Sequence, residues 1–374
     1  MLAISNKPYY YIKEIRIVKR NFRVLRAIRR GHNMLYFASD YQETACEPIL
    51  RRLLETAGEH MTAYGSDRYC ASAQEKIRAA CAAPAAEVRF LTGGTQTNQV
   101  AIDALLKPWE GVVATTAGHV AGHEAGAIEY SGHKVLTLPS HGGKLDPGEL
   151  RALLDAWRGD ANREHIVEPG MVYISHPTED GTLYTRAELA ALSAVCRAYG
   201  IPLYVDGARL AYALAARDTD VTLPVLAQYA DAFYIGGTKC GALIGEALVF
   251  PRGDLPERFL SRVKQHGALL AKGWAAGLQF DVLFTDGLYE KLGAHAIAMA
   301  EKLKAGLIAR GCELCGDSPT NQQFIVADDA LLKKLDGEVA YGFWEALAPG
   351  RTAIRFATSW ATRPEDVDAL LALL

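Results

Sequence analysis

From about position 88 onward, short apolar runs alternate with longer amphipathic stretches. Residues 88–91, 111–115, 134–138, 170–174, 202–205, 232–235 and 247–250 are brief and almost wholly apolar. That is the pattern of strands buried on both faces. Helix-period segments lie between several of them. The segment 186–199 is closed by Gly200 and Pro202, and 146–157 opens with Asp146 as N-cap and Pro147 in the first turn. Such strand–helix alternation predicts an α/β fold with a mostly parallel sheet.

Further on, helices are expected at 266–283 and 289–308, then short strands at 323–326 and 353–357. A last helix is expected at 364–374, capped near Thr362. This part reads as a smaller α+β domain. The chain has 374 residues, half of them hydrophobic, which exceeds what one core usually organises. The expected division is an α/β domain over 34–283, whose N-terminal segment contributes to the small domain, and an α+β domain over 284–374.

Residues 1–33 differ in character. Nine lysines and arginines, from Lys7 to Arg30, face Glu14 as the one acidic residue. A transit peptide or an electrostatic tail has this composition, and so does an extension upstream of a start at Met34. The last is the reading adopted. A net charge of -3 gives no reason to expect a nucleic acid or an acidic membrane as partner. No apolar run reaches the roughly 20 residues needed to cross a bilayer. Seven scattered cysteines without a secretory signal suggest free thiols in a reducing, cytoplasmic setting. Cys312 and Cys315 form a lone C-x-x-C and read as bystanders, so no metal site is expected.

Three motifs carry candidate chemistry. In Thr92-Gly93-Gly94-Thr95-Gln96-Thr97-Asn98 a strand runs through two glycines into a helix over 96–106. The arrangement suits a phosphate, because glycines allow close backbone approach and a helix N-terminus offers free N–H groups. An ordinary strand-to-helix turn has the same outline. In Leu203-Tyr204-Val205-Asp206-Gly207-Ala208-Arg209 an aspartate ends an apolar strand, where ligands bind in open α/β sheets. It could hold a pyridinium nitrogen protonated or merely cap a helix. In Gly236-Gly237-Thr238-Lys239-Cys240-Gly241 a lysine follows another buried strand with glycines on both sides. Its amine could form an imine with an aldehyde cofactor, or it could be a solvated loop lysine.

Taken in order, phosphate turn, strand-end aspartate and strand-end lysine resemble the pyridoxal 5'-phosphate (PLP) enzymes of the aspartate-aminotransferase fold, transferase-like fold type I. Within them the chain resembles the threonine aldolase / aromatic amino acid β-eliminating lyase family from Leu35 to the C-terminus. Supporting motifs are Ala38-Ser39-Asp40, Tyr64-Gly65-Ser66-Asp67, Gly94-Thr95-x-x-Asn98, His119 with Glu124, Asp206-Gly207-Ala208-Arg209 and Arg355-Phe356. The resemblance implies that Gly94 and Thr95 bind the phosphate, His119 stacks on the ring, Asp206 pairs with its nitrogen and Lys239 attaches the cofactor. It implies that Ser39, Arg209 and Arg355 hold the substrate carboxylate. His176, in Tyr173-Ile174-Ser175-His176-Pro177-Thr178-Glu179, stands near the family's second histidine and is the candidate base beside His119. The local sequence departs there from the commoner Glu-Asn-Thr-His.

The implied activity is retro-aldol cleavage of L-threonine, L-allo-threonine or a relative such as phenylserine to glycine and an aldehyde. The alternatives are β-elimination to a 2-oxo acid and ammonia, and a catalytically silent relative acting as a binding module. A homodimer or homotetramer with shared active sites is also implied, with Arg262-Val263-Lys264-Gln265-His266-Gly267 either reaching a neighbouring phosphate site or forming a solvated turn.

Overall fold

The computed structural model describes residues 34–374, so the reading of the basic leader lies outside the described residues. The strands are β1 (Leu35–Phe37), β2 (Glu87–Leu91), β3 (Glu110–Thr115), β4 (Val135–Leu138), β5 (Glu168–Ser175), β6 (Leu203–Asp206), β7 (Ala232–Gly236), β8 (Glu246–Phe250), β9 (Gln322–Asp328), β10 (Val339–Ala348) and β11 (Arg351–Ala357). The seven apolar runs each become one strand of a seven-stranded sheet, ordered β2-β8-β7-β6-β5-β3-β4. Pairing is parallel from β7 through β4, and β8 runs antiparallel to both its neighbours. The fold is the expected α/β architecture with a mostly parallel sheet.

Alternation along each strand sorts its side chains between two cores. Val113, Val172, Ile174, Leu203, Val205, Phe233 and Ile235 enter one. Val112, Ala114, Met171, Tyr173, Tyr204 and Tyr234 enter the other, beneath the helix Gly94–Leu105. With helices on both faces, every strand position needs an apolar partner, which is why these strands show no polar alternation. Each large side chain buried this way stabilises by about 1.5–3 kcal/mol.

A second, four-stranded sheet has the order β1-β10-β11-β9, with β1 parallel to β10 and the other pairs antiparallel. Phe37, Ile325, Ile354 and Phe356 build its core. The helix Leu288–Ala309 links the two parts: Ala296 and Ile297 pack into the first core, while Leu303 and Leu307 pack into this one.

Two helix expectations change. The stretch 266–283 is helical only over Trp274–Leu283, and a separate helix, Phe259–Gln265, ends just before it. Gly267 breaks it by adopting a φ of +66°, a left-handed conformation that other side chains rarely take. The last helix, Pro364–Leu373, starts from Arg363 rather than from a Thr362 cap. The Thr362 hydroxyl instead accepts the Ser359 N–H at 2.8 Å.

Candidate active site

Parallel strands deliver their C-terminal ends to one edge of the sheet, and the predicted residues gather there. Asp206 ends β6 on the same face as Tyr204. Its Oδ2 accepts from Tyr173 Oη at 2.7 Å and Asn98 Nδ2 at 2.9 Å, and its Oδ1 accepts from the Ala208 N–H at 2.9 Å. Burial pushes its pKa up, but His119 and the hydrogen-bond donors around it outweigh that and keep it below the ordinary carboxylate value. Asp206 is therefore a buried, ionised carboxylate. Gly207 next to it has no room for a side chain, since a Cβ there would lie 2.0 Å from the Tyr234 carbonyl oxygen.

Lys239 follows β7 through a tight turn. The Gly237 N–H donates to Gly245 O at 3.1 Å and to Glu246 Oε2 at 3.0 Å, and the Tyr212 hydroxyl holds the Lys239 carbonyl. The ammonium lies 5.8 Å from the centre of the Tyr41 ring. Burial and the nearby Arg209 lower its pKa against the opposing pull of Asp40, Asp206 and Glu246. Glu246, at the start of β8, is itself pushed up to about 7 by burial. A lysine amine with a lowered pKa is a better nucleophile toward an aldehyde.

Gly94 and Thr95 open the helix Gly94–Leu105, two residues earlier than expected, with Gly93 as its N-cap. The first-turn N–H groups have no partner within a helix and point toward this edge. A Cβ on Gly94 would come within 3.1 Å of the Tyr234 hydroxyl, so the backbone lies close against the floor of the site.

His119 stands beyond β3. Its Nδ1 lies 2.7 Å from Glu124 Oε1, the same oxygen that accepts from Asn98 Nδ2 at 2.7 Å. Asn98 thus bridges Glu124 and Asp206. Burial pulls the His119 pKa down, but Glu124 and Asp206 raise it overall.

The two arginines differ. Arg209 gives Nε and Nη2 to the buried Asp40 at 2.6 and 3.3 Å, so one edge of its fork is already committed within the protein. Arg355 donates Nη1 to Gln322 at 2.7 Å and Nη2 to the Ala38 carbonyl at 3.0 Å. Its Nε is buried without a partner. Burial and the neighbouring Arg209 lower its pKa to about 10. Ser39 lies between Ala38 and Asp40, so each arginine holds one of its neighbours in the chain.

His176 does not join this group. Along β5 it continues the face of Ile174, while Tyr173 and Ser175 face Asp206. The ring is fully buried 6.4 Å from Tyr184, and neither nitrogen has a hydrogen-bond partner. Burial lowers its pKa to about 4. The strand period of two puts it on the wrong side of the sheet.

The residue that reaches the site instead is Glu179. Its Oε1 accepts from Ser175 Oγ at 2.6 Å and from the His119 N–H at 2.8 Å. Sequence reading passed over it, although strand alternation already separated Ser175 from His176. Glu246 and Tyr173 were likewise missed, because only tertiary packing brings them beside Lys239 and Asp206.

These residues fit PLP. Gly94 and Thr95 would hold its phosphate, Asp206 its ring nitrogen and Lys239 its aldehyde carbon, and a side chain at Gly94 would crowd the Tyr234 hydroxyl. Among the described residues, no helix is long and apolar enough to cross a membrane.

The family model for β-eliminating lyases matches residues 37–329. A low-specificity L-threonine aldolase from a Pseudomonas species is 32% identical over 90% of this chain and 96% of its own length. Among solved structures, a Leishmania major threonine aldolase superposes with a TM-score of 0.87 at 41% identity, covering 90% of this chain and 98% of that one. An aspartate aminotransferase from Thermus thermophilus shares the fold alone, with a TM-score of 0.68 at 17% identity, covering 100% of this chain and 99% of its own. The chain belongs to the β-eliminating lyase family, whose members are fold type I PLP enzymes, in the company of the low-specificity L-threonine aldolases.

Proposed function

We propose that this protein is a PLP-dependent aldehyde-lyase that cleaves L-threonine, L-allo-threonine or a related β-hydroxy amino acid to glycine and an aldehyde. One observation carries the reading. Lys239, Asp206 and His119 converge at one sheet edge, in a chain 32% identical to a low-specificity L-threonine aldolase over nine-tenths of its length.

When bound, PLP supplies an electron-accepting ring conjugated with the substrate amine. The protein's residues set the rest. Lys239 provides the amine for covalent attachment. Asp206, ionised and triply hydrogen-bonded, would keep a proton on the ring nitrogen. His119, held by Glu124, would cover the ring face. Arg355 would bind the substrate carboxylate, with its partnerless Nε as an available donor, and Arg209 would shape the same corner through Asp40. Fixing the carboxylate decides which bond at Cα lies perpendicular to the ring, and so which one breaks. The assembly is proposed to be a cytoplasmic homodimer or homotetramer.

The second reading, β-elimination, is favoured by the description of the matching family. Incubation with L-threonine and with a β-substituted amino acid separates the two. Glycine with acetaldehyde marks the aldolase; ammonia with a 2-oxo acid and no glycine would replace it with the lyase.

A further inference from the structure

Glu179 is a half-buried residue whose carboxyl group has no role in the reading above. It lies four residues beyond the end of β5, where the chain turns back across the sheet edge. One oxygen, Oε1, is saturated by Ser175 Oγ at 2.6 Å and by the His119 N–H at 2.8 Å. These two bonds come from different elements and fix the carboxyl in place. The other oxygen, Oε2, is buried and has no hydrogen-bond partner. A buried acceptor without a donor is costly, and each such atom in a native protein asks for an explanation. A ligand hydroxyl would supply the missing donor.

Its surroundings point to the substrate. The charged and titratable groups around Glu179 are His119 from the segment after β3, Asp206 from β6, Arg209 from the segment after β6, and Tyr173 and Tyr184 from either end of the β5 turn. The first three are the groups placed around the cofactor and the carboxylate clamp. Two hydroxyl groups also stand in a row between Glu179 and Asp206: Ser175 Oγ donates to Glu179 at 2.6 Å, Tyr173 Oη donates to Asp206 at 2.7 Å, and the two hydroxyl oxygens lie 3.1 Å apart. Of the alternative bases, His176 is across the sheet, and His119 has its Nδ1 tied to Glu124 and its backbone N–H on Glu179 itself, which leaves only Nε2 open on a ring assigned to the cofactor face.

We propose that Glu179 is the catalytic base for the substrate's β-hydroxyl group, accepting its proton on Oε2 as the Cα–Cβ bond breaks. The proposal rests on the aldolase reading. The oxygen–hydrogen electron pair becomes the second bond of the aldehyde carbonyl, the Cα–Cβ pair stays with Cα, and Cα then takes up one proton to complete glycine. The proton that Glu179 gains balances the one that Cα receives, so no further reactant is needed. A base must be ionised to act. Burial pushes the Glu179 pKa up to about 7, so cleavage should rise as pH increases through about 7.

Glu179→Gln keeps the size of the side chain and an acceptor for Ser175 and His119 while removing the base. In that variant kcat/KM for L-threonine should fall on the order of 10²–10³-fold, the usual range for a lost general base. The rise through pH 7 should vanish, and glycine, which has no hydroxyl, should bind as in the wild type. Glu179→Asp retains a base and should keep the pH-dependent rise at reduced rate, which serves if the glutamine variant does not fold. Independently of turnover, infrared difference spectra of the cofactor-free protein should show a protonated carboxyl titrating near neutral pH that Glu179→Gln lacks. Wild-type threonine cleavage in Glu179→Gln, alongside a dead Lys239→Ala, would overturn this proposal and leave the aldolase reading standing. Failure of the wild type to release glycine and aldehyde overturns both.

Discussion

Arg209 clasps Asp40 with two of its donor groups, Nε at 2.6 Å and Nη2 at 3.3 Å, across 169 residues of chain. Asp40 is fully buried and also accepts Asn321 Nδ2 at 2.9 Å. The pair thus joins the segment after β1 of the small sheet to the end of β6 in the large one. Burial alone would raise the Asp40 pKa, but Arg209 and Lys239 reverse it to about 2. Removing one partner of a buried ion pair strands the other charge. Asp40→Ala should therefore cost about 3–5 kcal/mol in urea denaturation. Because the folded pKa is depressed, the ionised carboxylate's contribution is complete above the unfolded value of 3.8 and is lost as pH falls toward about 2. In Asp40→Asn, the stability gap to wild type should stay level from pH 7 to 5 and narrow only below that. A gap that closes near pH 6 would show that another group is titrating.

Lys239→Ala should abolish turnover while far-ultraviolet circular dichroism stays unchanged, because the side chain makes no hydrogen bond that the strands depend on. Its backbone carbonyl, held by Tyr212, remains in the variant. Retained wild-type activity would falsify the assignment of the site.

Glu246 tests the electrostatics around the same lysine. Its carboxylate favours the charged form of Lys239, against burial and Arg209. Glu246→Gln should shift the pH midpoint of Lys239 labelling by an amine-reactive reagent downward in cofactor-free protein. An upward shift would contradict the arrangement.

His176 supplies a negative control with its own pH signature. His176→Leu should leave threonine cleavage within about twofold, because the ring lies across the sheet from Asp206, and it removes two buried nitrogens that lack partners. The folded pKa of about 4 lies below the unfolded 6.5. Wild-type stability should thus fall as pH drops from 6.5 toward 4, by up to about 3 kcal/mol. Denaturation midpoints of the leucine variant should lack that component, and a large loss of kcat would return His176 to the site.

Much of this was legible in the residues themselves. Uninterrupted apolar runs ending in Asp206 and ahead of Lys239 announced strands buried on both faces, and the open edge of a parallel sheet is where such strand ends meet. The strand-to-helix turn around Gly94 followed from glycine and hydroxyl chemistry that is local to the chain, although the helix begins two residues before the expected position 96. The break at Gly267 was missed because apolar content carries a helical reading through a residue whose φ is set by its neighbours.

The sequence by itself determined the strands, the residues at their ends and the family, because those depend on periodicity and on side-chain chemistry at fixed offsets. Tertiary structure alone decided the rest. It committed Arg209 to Asp40, brought Glu246 beside Lys239, and turned the chain after β5 so that Glu179, and not His176, faces Asp206. Each of these is a contact between segments distant in sequence or a choice of sheet face. A shift of one residue along a strand reverses that choice, and composition does not register it.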